Sequence, residues 1–165
     1  MRALIKLVLA VGLLTALAGC SSKFLDYNGP EVTRVVVYKE MRRMYLLNGK
    51  RVLRSYNIGL GFAPTGDKMV EGDGRTPEGL YTIDRRNPNS QFHLSIGIDY
   101  PNERDIAQAK ALGKPPGGDI FIHGRGNPTN FLIRDWTWGC IAVTNKEMEE
   151  IYAMVQDGTP IAIHR

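Results

Sequence analysis

A mainly β domain with two short helices, an α+β fold, is the architecture this sequence predicts, and three observations predict it. Strand-like runs recur at short intervals, 18 glycines and nine prolines punctuate the chain, and only two segments carry a helical apolar period. The length of 165 residues suits one domain, and 43% hydrophobic with 23% charged residues is an ordinary globular composition. Wholesale disorder and a polytopic membrane protein are excluded.

The first twenty residues stand apart from that domain. Arg2 and Lys6 form a short positive stretch, Leu7 to Ala18 an apolar core, and small residues lead into Cys20. An apolar run shorter than the about 20 residues that span a bilayer reads as a signal peptide over residues 1–19, with an uncleaved anchor as the alternative. Leu17-Ala18-Gly19-Cys20 resembles the bacterial lipobox, which implies a lipidated Cys20, and Ser21 after it implies sorting to the outer membrane on its periplasmic side. Without Arg2 and Lys6, 19 basic residues face 17 acidic ones; that balance gives no electrostatic reason to seek nucleic acid.

Residues 20–31 read as the lipidated terminus and a polar tether with a turn at Asn28-Gly29-Pro30, and residues 32–165 as the domain. Val32 to Tyr38 is a valine-rich strand. Arg43 to Leu47 and Arg51 to Ile58 flank Asn48-Gly49, a hairpin signal. Residues 59–79 are glycine-rich loop, Gly79 to Asp84 and Phe92 to Asp99 are strands, and Glu103 to Leu112 is a helix with Ile106, Ala109 and Leu112 on one face. Asp119 to His123 is a short strand. In the second helix, Asn145 to Val155, the residues Met148, Ile151, Tyr152 and Val155 form one stripe, Thr144 and Glu147 a capping box, and Pro160 to His164 closes the chain as a strand.

The cysteine count is informative. If Cys20 carries lipid, Cys140 has no intramolecular partner in an exported protein, so it is either a reactive thiol or an inert buried one. His123 precedes it by 17 residues, at the end of a strand, and Cys140 follows a glycine just ahead of a helix. A thiol with a pKa of about 8.5 needs a base to become a nucleophile near neutral pH, and His123 can supply it if the fold brings the two together. Glycine before the cysteine lets the backbone amides of Trp138, Gly139 and Cys140 turn toward an oxyanion.

Four motifs in order then carry a resemblance. Gly74-Arg75-Thr76-Pro77-Glu78-Gly79-Leu80-Tyr81, His123-Gly124, Thr137-Trp138-Gly139-Cys140, and Phe92 to Asn102 together resemble the YkuD-type L,D-transpeptidase catalytic domain, in its YafK-like branch. The resemblance implies an L,D-transpeptidase-like β-sandwich with the cysteine on a loop. It implies that Cys140 attacks the carbonyl at the L-centre of diaminopimelate in a peptidoglycan stem peptide. His123 would be the base, and the Gly124 carbonyl would orient its ring. The thioester would pass to an amine, either another stem or a lysine of a murein-linked lipoprotein, and neither metal nor organic cofactor is called for. Hydrolysis by the same site, detaching a lipoprotein or trimming stems, is one alternative. A non-catalytic murein-binding lipoprotein is another.

Two departures qualify the match. Trp138 stands where the family often has histidine, and Ala142 where it often has arginine, so carboxylate binding cannot be carried over to that position. Asn145 either substitutes for that arginine or is a helix N-cap. Arg125 and Arg134 are candidate carboxylate ligands or solvated loop residues. Trp136 and Trp138 wall a groove or cap the core. His93 is structural or contacts substrate, and Tyr81 reads as core.

Overall fold

The computed structural model describes residues 22–126 and 134–165. The expected signal peptide, residues 1–19, and the expected lipidation of Cys20 lie outside the described residues. The strands are β1 (Arg34–Tyr38), β2 (Arg43–Asn48), β3 (Arg51–Asn57), β4 (Gly79–Asn87), β5 (Ser95–Ile98), β6 (Phe121–His123), β7 (Ile141–Ala142) and β8 (Pro160–His164). Among the described residues there are two helices, α1 (Glu103–Ala111) and α2 (Asn145–Met154).

All eight strands form one sheet, in the order β3-β2-β1-β8-β4-β5-β6-β7. Its two ends meet. Gly59, just past β3, exchanges both backbone hydrogen bonds with Ala142 of β7, at 2.8 and 2.9 Å. The bonds Thr137 N–Leu60 O and Phe62 N–Thr137 O extend the seam, at 3.2 and 2.9 Å. The two faces expected of a sandwich therefore belong to one sheet that curls until its edges pair, which leaves fewer open backbone groups than a flat sheet would.

Sequence pattern explains the interior. Met44 and Leu46 of β2, Ile96 and Ile98 of β5, and Ile122 of β6 are fully or almost fully buried inside the curl. Helix α2 packs against β5 and β6 with Met148 and Ile151 buried and Val155 buried at its C-cap; Tyr152, the fourth residue of the stripe read from the sequence, is half-buried. Its Thr144 N-cap and Glu147 make the expected reciprocal box.

Several expectations are corrected. The hairpin turn falls at Gly49-Lys50, one residue later than read, because Asn48 pairs with Arg51 and Gly49 takes the positive φ of 57°. In α1 the buried residues are Asp105 and Ala109, while Ile106 and Leu112 face outward; the Asp105 carboxylate accepts from the buried Tyr81 hydroxyl and closes a capping box with Asn102. A polar partner thus overrides the apolar spacing. Phe92 to Leu94 is turn, not strand, with His93 at φ 79°. Residues 22–31 lack regular structure, yet they are not a free tether. Lys23 Nζ donates to the carbonyls of Pro88 and His93, at 2.6 and 3.1 Å, and Phe24 packs on Tyr152.

The seam tolerates no side chain at Gly59, where a Cβ would lie 2.2 Å from the Arg134 carbonyl oxygen. Gly59→Ala is expected to lower the unfolding free energy by about 1–3 kcal/mol in urea titrations, as overpacking does. An unchanged midpoint would show that the seam is not under steric control.

Candidate active site

Cys140 and His123 reach one cavity from neighbouring strand ends. Strands β6 and β7 pair in parallel, with Ile122 opposite Ile141 and His123 opposite Ala142. This register sets Cys140, one residue before β7, beside Phe121, whose amide donates to its Sγ at 3.4 Å. The thiol in turn lies 3.5 Å from the Asp119 carbonyl. Cys140, His123, Asp119, Phe92 and Ser95 all line a cavity of about 560 Å³, within the range of peptide-sized ligand sites.

The orientation of the imidazole is fixed. His123 Nδ1 donates to the Gly124 carbonyl at 2.5 Å, which selects the Nδ1–H tautomer and leaves Nε2 as the ring's acceptor. Phe92 stacks on the ring at 4.6 Å between centroids, and Trp136 meets it edge-on at 5.7 Å. Burial lowers the pKa of His123 below its ordinary value, opposed by the Gly124 hydrogen bond and assisted by Arg125. Burial raises that of the Cys140 thiol; the Phe121 amide opposes the rise and the Asp119 carboxylate adds to it. Both shifts favour the neutral forms, a thiol and an imidazole, at pH 7.

The turn before Cys140 is rigid. Thr137 is buried, and its hydroxyl donates to the Cys140 carbonyl at 2.7 Å and accepts from the Gly139 amide at 3.2 Å. The Gly139 amide, expected to face an oxyanion, is thus committed within the turn. Glycine is required at 139 for a different reason: φ is 129°, and a Cβ would sit 2.6 Å from the Arg75 carbonyl oxygen. Arg75 belongs to the glycine-rich loop, which Lys39 and Asp73 secure. Lys39 Nζ donates to the carbonyls of Gly66 and Thr76 and to Glu78, while Asp73 accepts from the amides of Met69, Val70 and Arg75.

The other sequence candidates separate. Trp136 is half-buried against His123, at the base side of the cavity. Trp138 is 71% exposed and packs edge-to-face on Phe62; it lines a neighbouring cavity with Asp119, Glu71 and Lys68 and caps no core. Arg125 is half-buried beside the base, and Arg134 is exposed at the seam. His93 does not line the cavity. Its Nε2 meets Glu149 Oε1 of α2 at 2.7 Å, the kind of pairing that the structural reading of it calls for. Asn145 is not the N-cap, which is Thr144; its Oδ1 instead accepts from the amides of Arg125 and Gly126. Sequence reasoning missed Phe92 and Arg85. The first was hidden in an apolar run read as strand, and no local signal marks the second, whose guanidinium lies 4.6 Å from the Phe121 ring and 3.6 Å from the Asp119 carboxylate. Among the described residues no cluster of His, Cys, Asp and Glu could hold a metal ion.

The model of the YkuD L,D-transpeptidase catalytic domain matches residues 32–163. The chain belongs to this family. YafK of Escherichia coli (strain K12), whose own assignment as an L,D-transpeptidase is provisional, is 30% identical over 127 residues, covering 73% of this chain and 46% of YafK. Among solved structures, the helical cell shape determining protein Pgp2 of Campylobacter jejuni matches with a TM-score of 0.64 and 32% identity, over 88% of this chain and 51% of Pgp2. An L,D-transpeptidase from Mycobacterium smegmatis, at 15% identity and a TM-score of 0.55 over 81% of this chain and 59% of that one, shares the fold alone. The chain spans about half the length of YafK and Pgp2.

In this YkuD domain a buried, neutral His123 fixes the sign of a pH effect. The imidazole accepts a proton only when uncharged, so the acid limb of Cys140 acylation is expected below the ordinary 6.5 of histidine. Stability follows the same direction, rising with pH just below 6.5 because the unfolded chain binds a proton there that the folded one does not. An acid limb at or above that value, in the pH profile of kcat/KM for acylation, contradicts the geometry.

Proposed function

We propose that this chain is a peptidoglycan L,D-transpeptidase in which Cys140 is the nucleophile and His123 the general base. One observation carries the reading: the two side chains share a cavity, and the Gly124 carbonyl holds the imidazole with Nε2 unprotonated. Family membership supports the chemistry, and the cavity volume of about 560 Å³ supports a stem peptide as its occupant.

The steps balance without a cofactor. Cys140 passes its proton to His123 Nε2 as Sγ attacks the carbonyl at the L-centre of diaminopimelate. The oxyanion meets the amides of Trp138 and Cys140, the two left for it once Gly139 is bonded to Thr137. The C–N bond breaks, D-alanine leaves with the proton from His123, and a thioester remains. An acceptor amine then attacks the thioester, its proton goes to His123, and Cys140 is released as the thiol. The acceptor is a second stem, giving a 3–3 cross-link, or a lysine of a murein-linked lipoprotein. Lipidation of Cys20 and an outer-membrane, periplasm-facing location complete the proposal and rest on residues 1–21 alone. A role in cell shape, the property for which Pgp2 is named, is proposed on the likeness to that protein.

Intact mass of the full chain incubated with tetrapeptide muropeptides tests this. The expected result is an acyl adduct on the Cys140 peptide, absent in Cys140→Ala, with 3–3 dimers among the products. An adduct that yields only tripeptide shows hydrolysis in place of transfer. Retained binding with no adduct would overturn the enzyme and leave a murein-binding lipoprotein.

A further inference from the structure

Helix α2 begins with a side chain that its own helix does not need. Thr144 caps the helix, so Asn145, the first helical residue, is free to serve another segment. Its Oδ1 accepts from two consecutive amides across the cavity wall, Arg125 N at 2.9 Å and Gly126 N at 3.1 Å. The Arg125 N–H and the Gly124 carbonyl are the two ends of one peptide group. That group is planar and trans, so its N–H and C=O point in opposite directions. Holding the N–H toward Asn145 therefore aims the carbonyl the other way, where it accepts from His123 Nδ1 at 2.5 Å.

We infer that Asn145 is a positioning residue for the general base: by fixing the peptide between Gly124 and Arg125 it sets the tautomer and direction of the His123 ring. This deepens the acyl-transfer reading and rests on it.

Packing supports the assignment. A Cβ on Gly124 would lie 2.6 Å from Asn145 Oδ1 and 2.7 Å from the Phe92 carbonyl oxygen, so the backbone here is closely enclosed, with no room for a side chain. Four residues along the same helix, Glu149 Oε1 meets His93 Nε2 at 2.7 Å. His93 adjoins Phe92, whose ring stacks on His123 at 4.6 Å. Residues four apart lie on one helical face, so one side of α2 fixes both the acceptor behind the imidazole and the ring on which it stacks. The nucleophile lies five residues before Asn145, which makes a single segment carry Cys140, β7 and the clamp on the base.

The test compares wild type, Asn145→Ala and Asn145→Asp as full chains, with two readouts: kcat and KM for acylation of Cys140 by a tetrapeptide muropeptide, and the ¹⁵N spectrum of the His123 imidazole. Asn145→Asp keeps an acceptor oxygen and is expected to hold the Nδ1–H tautomer with kcat within about threefold of wild type. Asn145→Ala is expected to lose about tenfold to a hundredfold in kcat, with KM little changed and a mixed tautomer spectrum. A structural role alone would lower stability without moving the tautomer. Unchanged kcat and tautomer in Asn145→Ala overturn the inference, and so does a rise in KM alone, which marks a substrate contact. If Asn145→Ala does not fold, Asn145→Gln decides by the same two readouts, since it keeps the amide but displaces it by one methylene. A wild type that forms no adduct, with the tautomer still dependent on residue 145, defeats the acyl-transfer reading and leaves the positioning role standing.

Discussion

The two-residue strand Ile141–Ala142 is the constraint on which the rest of the site depends. It is gripped from both sides, by β6 in parallel and by Gly59 in the antiparallel seam. Either pairing alone would leave so short a strand marginal. Together they hold the backbone of Cys140 beside the Phe121 amide and bring His123 level with Ala142. Closure of the sheet thus helps to set Cys140 and His123 on one cavity. Gly59, Gly61 and Gly139 are among the positions where backbone approaches backbone too closely for any side chain.

Around that strand the fold uses paired charges to hold loops in place. Arg42 spans the seam to Asp135, whose Oδ1 also takes the Leu60 amide at 2.9 Å. Lys39, almost wholly buried, has three oxygen partners, and its pKa is lowered by burial. Burying an ammonium is tolerable only when its donors are satisfied, and here all three are. The glycine-rich loop, which has no regular structure of its own, becomes a fixed wall behind Gly139 through these contacts.

Burial also decides the acid–base character of the site. It lowers the pKa of His123 and raises that of Cys140, so the pair rests as thiol and imidazole, not as an ion pair. A neutral pair spares two largely buried groups the cost of desolvating a charge. The Nδ1–H tautomer leaves Nε2 as the acceptor, the state that the proposed base role requires. Support for that tautomer passes from α2 through a single peptide group.

Much of the fold was legible in the order of residues. The valine run of β1, the turn signal between β2 and β3, the stripe and capping box of α2, and the glycine before Cys140 are local patterns whose physics acts within a few residues. The candidate nucleophile and base were legible too, because Cys140 follows a glycine in a chain with few cysteines and His123 ends a strand. What failed locally failed for tertiary reasons. Asp105 turned α1 over because Tyr81 offered a buried hydroxyl, and His93 left the strand pattern to reach Glu149. Strand β7 was invisible because two residues carry no period, and the roles of Asn145 and Phe92 exist only across chain segments far apart in sequence. The sequence by itself determined the chemistry available and the elements that carry it. Tertiary structure alone decided their register, their protonation and their orientation, since those depend on which distant backbone group completes each hydrogen bond.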